Sequence, residues 1–199
     1  RNRDLLGSVK RIQRVGLQVQ GGFIVGFDKD PESIFDKIAR FVQESGIVTA
    51  MVGLLNAPRG TRLYQRLSRE GRLLSSMSGN NTDFSINFQP KMGYETLLNG
   101  YRKILNEIYS PKQYYARVKK FLKDYKPPQV KIFHLRVDHF KALVKSALVL
   151  GVAGKERIYY WKLFFWSLCT RPRLFPLAIT LAIYGFHFRR VFEQSVARF

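Results

Sequence analysis

The stretch Gln20-Gly21-Gly22-Phe23-Ile24-Val25-Gly26-Phe27-Asp28, followed by Asp30-Pro31-Glu32, decides how the rest of the chain is read. A short apolar run that stops at glycine and passes to Asp and Pro reads as a buried strand, a tight turn and a helix start. Asp30 suits the N-cap and Pro31 the first helical position. In α/β folds the C-terminal ends of such strands are where ligands bind, because backbone N–H groups left free there can meet them. A second unit follows: Ile47–Leu55 is nearly apolar throughout and ends in Asn56-Ala57-Pro58-Arg59-Gly60-Thr61.

Outward from these strands, Asp4–Val15 carries Leu5, Leu6, Val9, Ile12 and Val15 at helical spacing, and Gly16 stops that helix before a strand over Leu17–Val25. Ile34, Phe35, Ile38, Phe41 and Val42 form one apolar stripe up to Gly46, and Thr61–Glu70 is a short helix ended by Gly71. Helix–strand–helix–strand–helix over residues 4–70 predicts parallel strands joined by crossovers. The continuous apolar character of Ile47–Leu55 predicts helices on both sheet faces. Two strands cannot shelter themselves, so this unit calls for more sheet. With Arg1 rather than Met in first place, the reading is a piece of a longer protein.

Residues 75–92 change character: Ser, Asn and Gly dominate, with Phe84, Ile86 and Phe88 alternating as a short extended segment. Helical patterns then run over Tyr94–Tyr109, Ser110–Tyr125, His134–Leu150, Lys155–Cys169 and Phe175–Phe192, with Lys126-Pro127-Pro128 as a linker. The predicted fold class is α/β followed by mostly α, divided at 1–74, 75–128 and 129–199.

Charge is distributed unevenly. The total is +20, of which residues 1–100 carry +5 and residues 101–199 carry +15. Such asymmetry calls for an anionic counterpart: lipid headgroups, nucleic acid or an acidic protein face. Tyr159, Tyr160, Trp161, Phe164, Phe165, Trp166, Phe175, Tyr184, Phe186 and Phe188 crowd the C-terminal helices, flanked by Arg171, Arg173, Arg189 and Arg190. The uncharged run Leu174–Phe188 is fifteen residues long, short of the roughly 20 that a spanning helix needs. Two readings stand: a helix pair lying in an anionic membrane surface, or a buried helical hairpin. Nucleic acid is disfavoured as a partner, because these aromatics sit among aliphatic residues and not on a basic stacking platform.

Candidate chemistry is sparse. Cys169 is the single cysteine, which excludes a disulfide framework and fits a reducing, cytoplasmic compartment; its helical setting predicts a buried thiol. His134, His139 and His187 are too dispersed for a metal site, and Asp28-Lys29-Asp30-Pro31 lacks the further oxygen ligands of a calcium loop. The glycine pair at Gly21-Gly22 either lets a planar ligand approach the backbone or serves a tight turn alone. Arg59 and Arg62 either meet an anion or flank an ordinary turn before a helix capped by Thr61.

Gly22-Phe23-Ile24-Val25-Gly26 resembles the fifth-strand motif of radical S-adenosylmethionine (radical SAM) enzymes. Ala50–Leu55 with Asn56-Ala57-Pro58-Arg59-Gly60-Thr61-Arg62-Leu63-Tyr64 resembles their sixth strand and following loop, in the form found in cobalamin-binding members. Residues 76–125, with Pro90-Lys91-Met92 and Tyr109-Ser110-Pro111-Lys112, resemble the helical domain that follows the barrel in one subgroup. The resemblance implies the last βα units of a partial (β/α)6 barrel plus a basic helical domain. It further implies S-adenosylmethionine and a 4Fe-4S cluster as cofactors of the full-length parent, with cobalamin in some members. The partners it implies are the rest of the barrel and a cobalamin-binding-type domain. By matching position, Gly22, Ile24 and Gly26 would form an adenine shelf, and Leu54, Leu55 and Asn56 the sixth-strand contact. Two departures stand out. Lys29 occupies the place of an acidic residue that often closes the fifth-strand motif, and the three cluster cysteines are absent. The expectation is a C-terminal fragment that holds no cluster and performs no radical chemistry alone, the parent modifying an unidentified substrate. The alternative is a non-catalytic peripheral membrane or protein-interaction module acting through its cationic aromatic helices.

Overall fold

A computed structural model describes residues 4–74, 85–127 and 137–196. Helix α1 (Leu5–Arg14), strand β1 (Gln20–Val25), α2 (Ile34–Ser45), β2 (Thr49–Leu54) and α3 (Arg62–Arg69) come first. Then follow α4 (Tyr94–Tyr109), α5 (Pro111–Asp124), α6 (Val137–Ser146), a π-helical continuation of α6 (Ala147–Ala153), α7 (Arg157–Thr170), a 3-10 turn (Pro172–Leu174) and α8 (Phe175–Val196). The described chain is therefore mostly helical around one small parallel sheet. Phe84, Pro128 and His134, which the sequence reading placed in an extended segment, a linker and a helix start, lie outside the described residues.

Capping chemistry sets several of the boundaries. Asp4 accepts a hydrogen bond from the Gly7 amide at 2.8 Å and starts α1. Thr61 caps α3 through the Tyr64 amide, and Ser110 caps α5, whose first residue is Pro111. The start of α2 differs from expectation. Its N-cap is Ser33, three residues beyond Asp30, because the Asp30 carboxylate is occupied at the end of β1.

The two strands pair in parallel, Gln20 opposite Thr49 through Val25 opposite Leu54. Alternation separates their faces. Phe23 and Val25 join Ala50 and Val52 on the covered side, where Phe23 meets Phe41 of α2 edge-on at 6.0 Å. On the other side Ile24 is 53% and Met51 62% exposed. The expected two-sided cover is thus not met among the described residues: one face of the sheet is open.

Behind the covered face, α2 and α4 pack so closely that a Cβ at Gly100 would overlap the Phe35 ring. Helix α8 docks on α5 in the same way, Gly185 lying against Tyr114, whose hydroxyl donates to Leu181 O at 2.7 Å. Buried apolar side chains run as one cluster from Val25 through Leu97, Ile104 and Val118 to Leu181. Cys169, expected to be buried, is exposed on α7. Its helix turns Leu163 and Ser167 inward instead, and position 169 falls on the outer side.

The open sheet face and its loops as a candidate functional site

The open face is a small chequerboard. Gly22 stands opposite Met51 and Ile24 opposite Gly53, so two glycines alternate with two apolar side chains. A Cβ built on Gly22 or on Gly53 would meet nothing within 4 Å. The result is a flat apolar step with bare backbone, suited to a planar ring. Of the six positions singled out in the sequence, Gly22 and Ile24 follow one another on this face, Gly26 is the buried residue just past the strand, and Leu54, Leu55 and Asn56 lie beside its C-terminal end.

At that end the backbone is more occupied than expected. Asp30 Oδ2 accepts from both the Gly26 and Phe27 amides at 3.0 Å, so the N–H groups expected to be free are spent. Gly26 adopts φ +106°, and a Cβ there would press on Leu97, which restricts this position to glycine. The Leu55 amide donates to Val25 O at 2.8 Å. The side chain of Asn56 is committed as well: it donates to Ser85 O at 3.1 Å and accepts from the Asn87 amide at 3.1 Å. Asn87 answers through its own side chain, accepting from Ala57 N and donating to Ala57 O, each at 2.8 Å. This reciprocal clasp fixes the loop after β2.

A second clasp fixes the loop after β1. Arg72 grips Asp28 with two hydrogen bonds, at 2.7 and 3.2 Å, while Arg66 approaches the same carboxylate at 2.8 Å. Arg72 also holds Glu70 and the carbonyl of Gln89. The hydrogen bond from Arg72, helped by the charges of Arg72 and Arg66, holds the Asp28 carboxyl below its ordinary range. Sequence reading weighed Asp28 only as a metal ligand. Asn87, 2% exposed, escaped notice because it sits between Ile86 and Phe88, where alternation would turn it outward. Arg59 is exposed and Arg62 opens α3.

The far edge of β2 is closed. Leu55 N bonds to Val25 O, and in a parallel ladder bonding sides alternate, so the carbonyls of Ala50 and Val52 point away from β1. Tyr109 donates to Ala50 O at 2.5 Å and Tyr101 to Val52 O at 3.1 Å. Just before the strand, Arg117 reaches Val48 O at 3.4 Å and Gln43 Oε1 at 3.1 Å. Burial pushes Tyr101 up to about 12 and lowers the wholly buried Arg117 to about 10, still above neutrality, so the guanidinium stays charged. Side chains occupy the carbonyls that a further strand beside β2 would need.

Among the described residues no group of three His, Cys, Asp or Glu side chains could hold a metal ion. With one thiol in the whole sequence, the residues do not fit a four-iron cluster either. No helix among the described residues is long and apolar enough to cross a membrane.

Residues 61–198 match the family described as "Domain of unknown function (DUF4070)", and the chain belongs to that family. Over 199 aligned residues it is 34% identical to an uncharacterized methyltransferase of Synechocystis sp., covering 97% of this chain and 37% of that protein. Over 170 residues it is 24% identical to a hopanoid C-2 methylase of Rhodopseudomonas palustris, covering 79% of this chain and 30% of that protein. The chain thus spans about a third of the length of these curated relatives. No solved structure gives a significant match.

Proposed function

We propose that this chain supplies the C-terminal edge of the adenosyl site of a radical S-adenosylmethionine methylase, β1 and β2 being the fifth and sixth strands of a partial barrel. The observation that carries the reading is the open chequerboard of Gly22, Ile24, Met51 and Gly53. Bare glycine backbone between apolar side chains lets an adenine ring lie flat on the sheet. In this reading Gly22 and Ile24 form the shelf and Gly26 sets the turn beyond it. The backbone at Leu54, Leu55 and Asn56 contacts the ring's edge, while the Asn56 side chain holds its own loop.

Two further observations support it. The edge of β2 is filled by tyrosine hydroxyls while, among the described residues, β1 pairs with no strand but β2, as suits the last strand of a sheet that grows on the β1 side only. Both curated relatives bear methyltransferase or methylase names. When bound, S-adenosylmethionine would supply the radical and methyl chemistry. The cluster that cleaves it, and cobalamin where used, would be held by residues outside this chain. Substrate would then be met by the rest of the barrel, with 75–128 serving as a loop and helical extension and 129–199 as a basic aromatic domain.

The coding sequence ahead of Arg1 tests the proposal. An open frame carrying three closely spaced cysteines is expected. In that longer enzyme, Gly22→Val and Gly53→Val should each weaken S-adenosylmethionine binding by about tenfold or more, since a branched side chain takes the ring's place. A frame without those cysteines, or full affinity in both variants, would overturn the reading.

A further inference from the structure

Between His139 and Phe192 the sequence holds a single acidic residue, Glu156. It is buried and joined to Arg189. The outer surface of the α6–α8 region over that span therefore carries positive formal charge alone.

Large apolar side chains share this surface. Along α6 and its π-helical continuation, Phe140, Val144, Leu148 and Val152 recur at every fourth residue and are 44–67% exposed. On an unbroken α-helix a four-residue step overruns the 3.6-residue turn, and such a row drifts round the helix. The wider turn over Ala147–Ala153 offsets that drift, so the row keeps to one side. Helix α7 adds Ile158, Phe165 and Leu168, each exposed by 44% or more. Trp161 joins the two rows. Its indole N–H donates to Gly151 O at 3.0 Å, its ring covers Gly151, and it stacks on Phe165 with centroids 5.6 Å apart. Lys141, Lys145, Lys155, Arg157 and Lys162, all exposed, lie in and beside these rows.

We propose that this face docks the protein on an anionic lipid bilayer. Phe140, Val144, Leu148, Val152, Ile158 and Phe165 enter the boundary between headgroups and acyl chains. The lysine ammonium groups reach the lipid phosphates on stems that lie along the same apolar surface. A bilayer meets both demands at once, hydrocarbon for the rows and dense negative charge for the cations. The helices lie on the surface and do not traverse it, since none is long and apolar enough to do so. The inference does not depend on the adenosyl reading, because these residues are on α6 and α7, away from β1 and β2.

Co-sedimentation of the 199-residue chain with phosphatidylcholine vesicles, with and without phosphatidylglycerol, tests it. Binding should require phosphatidylglycerol and weaken with salt. Leu148→Asp and Phe165→Asp, at exposed positions that should leave the circular dichroism unchanged, should each weaken binding by about tenfold or more. Lys141→Glu combined with Lys145→Glu should lower binding to phosphatidylglycerol vesicles alone. Lipids spin-labelled near the headgroup should quench tryptophan fluorescence more than lipids labelled at the chain end. No binding to phosphatidylglycerol vesicles, binding unaffected by both aspartates, or capture by acidic proteins without any vesicle binding would each overturn the proposal.

Discussion

Asp28 shows how much a single side chain can hold that its neighbours in sequence do not reveal. Beside Asp30 it has the look of a loop ligand. In the fold the two carboxylates divide the work: Asp30 satisfies the amides of Gly26 and Phe27, and Asp28 anchors the whole turn to Arg72 and Arg66. Arg72 lies 44 residues away, so no local pattern announces the pair. Asp28→Asn should cost about 1.5–3 kcal/mol at neutral pH, the usual worth of hydrogen bonds to a charged group, measured by urea unfolding. The pH dependence has a definite sign. Because the folded carboxyl titrates below its ordinary 3.8, its contribution is complete above that value and is lost as pH falls through the lowered one. The gap between wild type and Asp28→Asn should therefore close in acid. A gap that persists there would mean the carboxylate's charge is not what holds the turn.

At the scale of elements, most of the fold was legible. The helices predicted over Tyr94–Tyr109 and Ser110–Tyr125 match α4 and α5 to within a residue, because apolar spacing, Ser110 and Pro111 all agree. The parallel pair was legible too, from two apolar runs separated by one helical stripe. What periodicity could not tell was the difference between an apolar residue and a hydroxyl with a task. Tyr101 reads as one more member of the α4 apolar face, yet its oxygen closes the edge of β2, 49 residues away in sequence. Tyr101→Phe and Tyr109→Phe keep the ring and orphan one strand carbonyl each, so each should cost about 1–3 kcal/mol in thermal or urea unfolding. Alkaline pH gives an independent reading. Folded Tyr101 titrates near 12 and the unfolded side chain near 10, so between these values the unfolded state loses its proton first and stability falls as pH rises. Tyr101→Phe should flatten that alkaline limb. An unchanged limb would show that the hydroxyl is not buried as described.

Across the whole molecule, composition announced the basic C-terminal half but not how it is fastened. The sequence reading left membrane helix pair and buried hairpin side by side, because hydrophobicity alone does not say which face of a helix is covered. The fold divides the large apolar residues between the two roles: Tyr160 and Leu163 turn inward, while Phe140 and Phe165 turn outward. The fastening itself is a close approach that only glycine permits. Tyr114 of α5 lies against Gly185, bonds Leu181 O, and stacks near Tyr109, which in turn meets Phe188 at 5.7 Å. A side chain at 185 must expel the Tyr114 ring and with it a buried hydroxyl whose partner is on α8. Gly185→Leu is therefore expected to cost about 2–3 kcal/mol, while Tyr184→Ala, at an exposed neighbour, should cost no more than about 0.5 kcal/mol. Two probes can separate local loosening from global collapse. Both tryptophans, Trp161 and Trp166, lie on α7, and Trp166 is held against Lys119 of α5 at 4.8 Å. In Gly185→Leu the tryptophan fluorescence transition should precede the loss of far-ultraviolet helical signal, because α7 and α8 are both seated on α5 while the sheet is covered by α2 and α4. Coincident transitions with undiminished stability would show that α8 does not depend on this glycine for its seat.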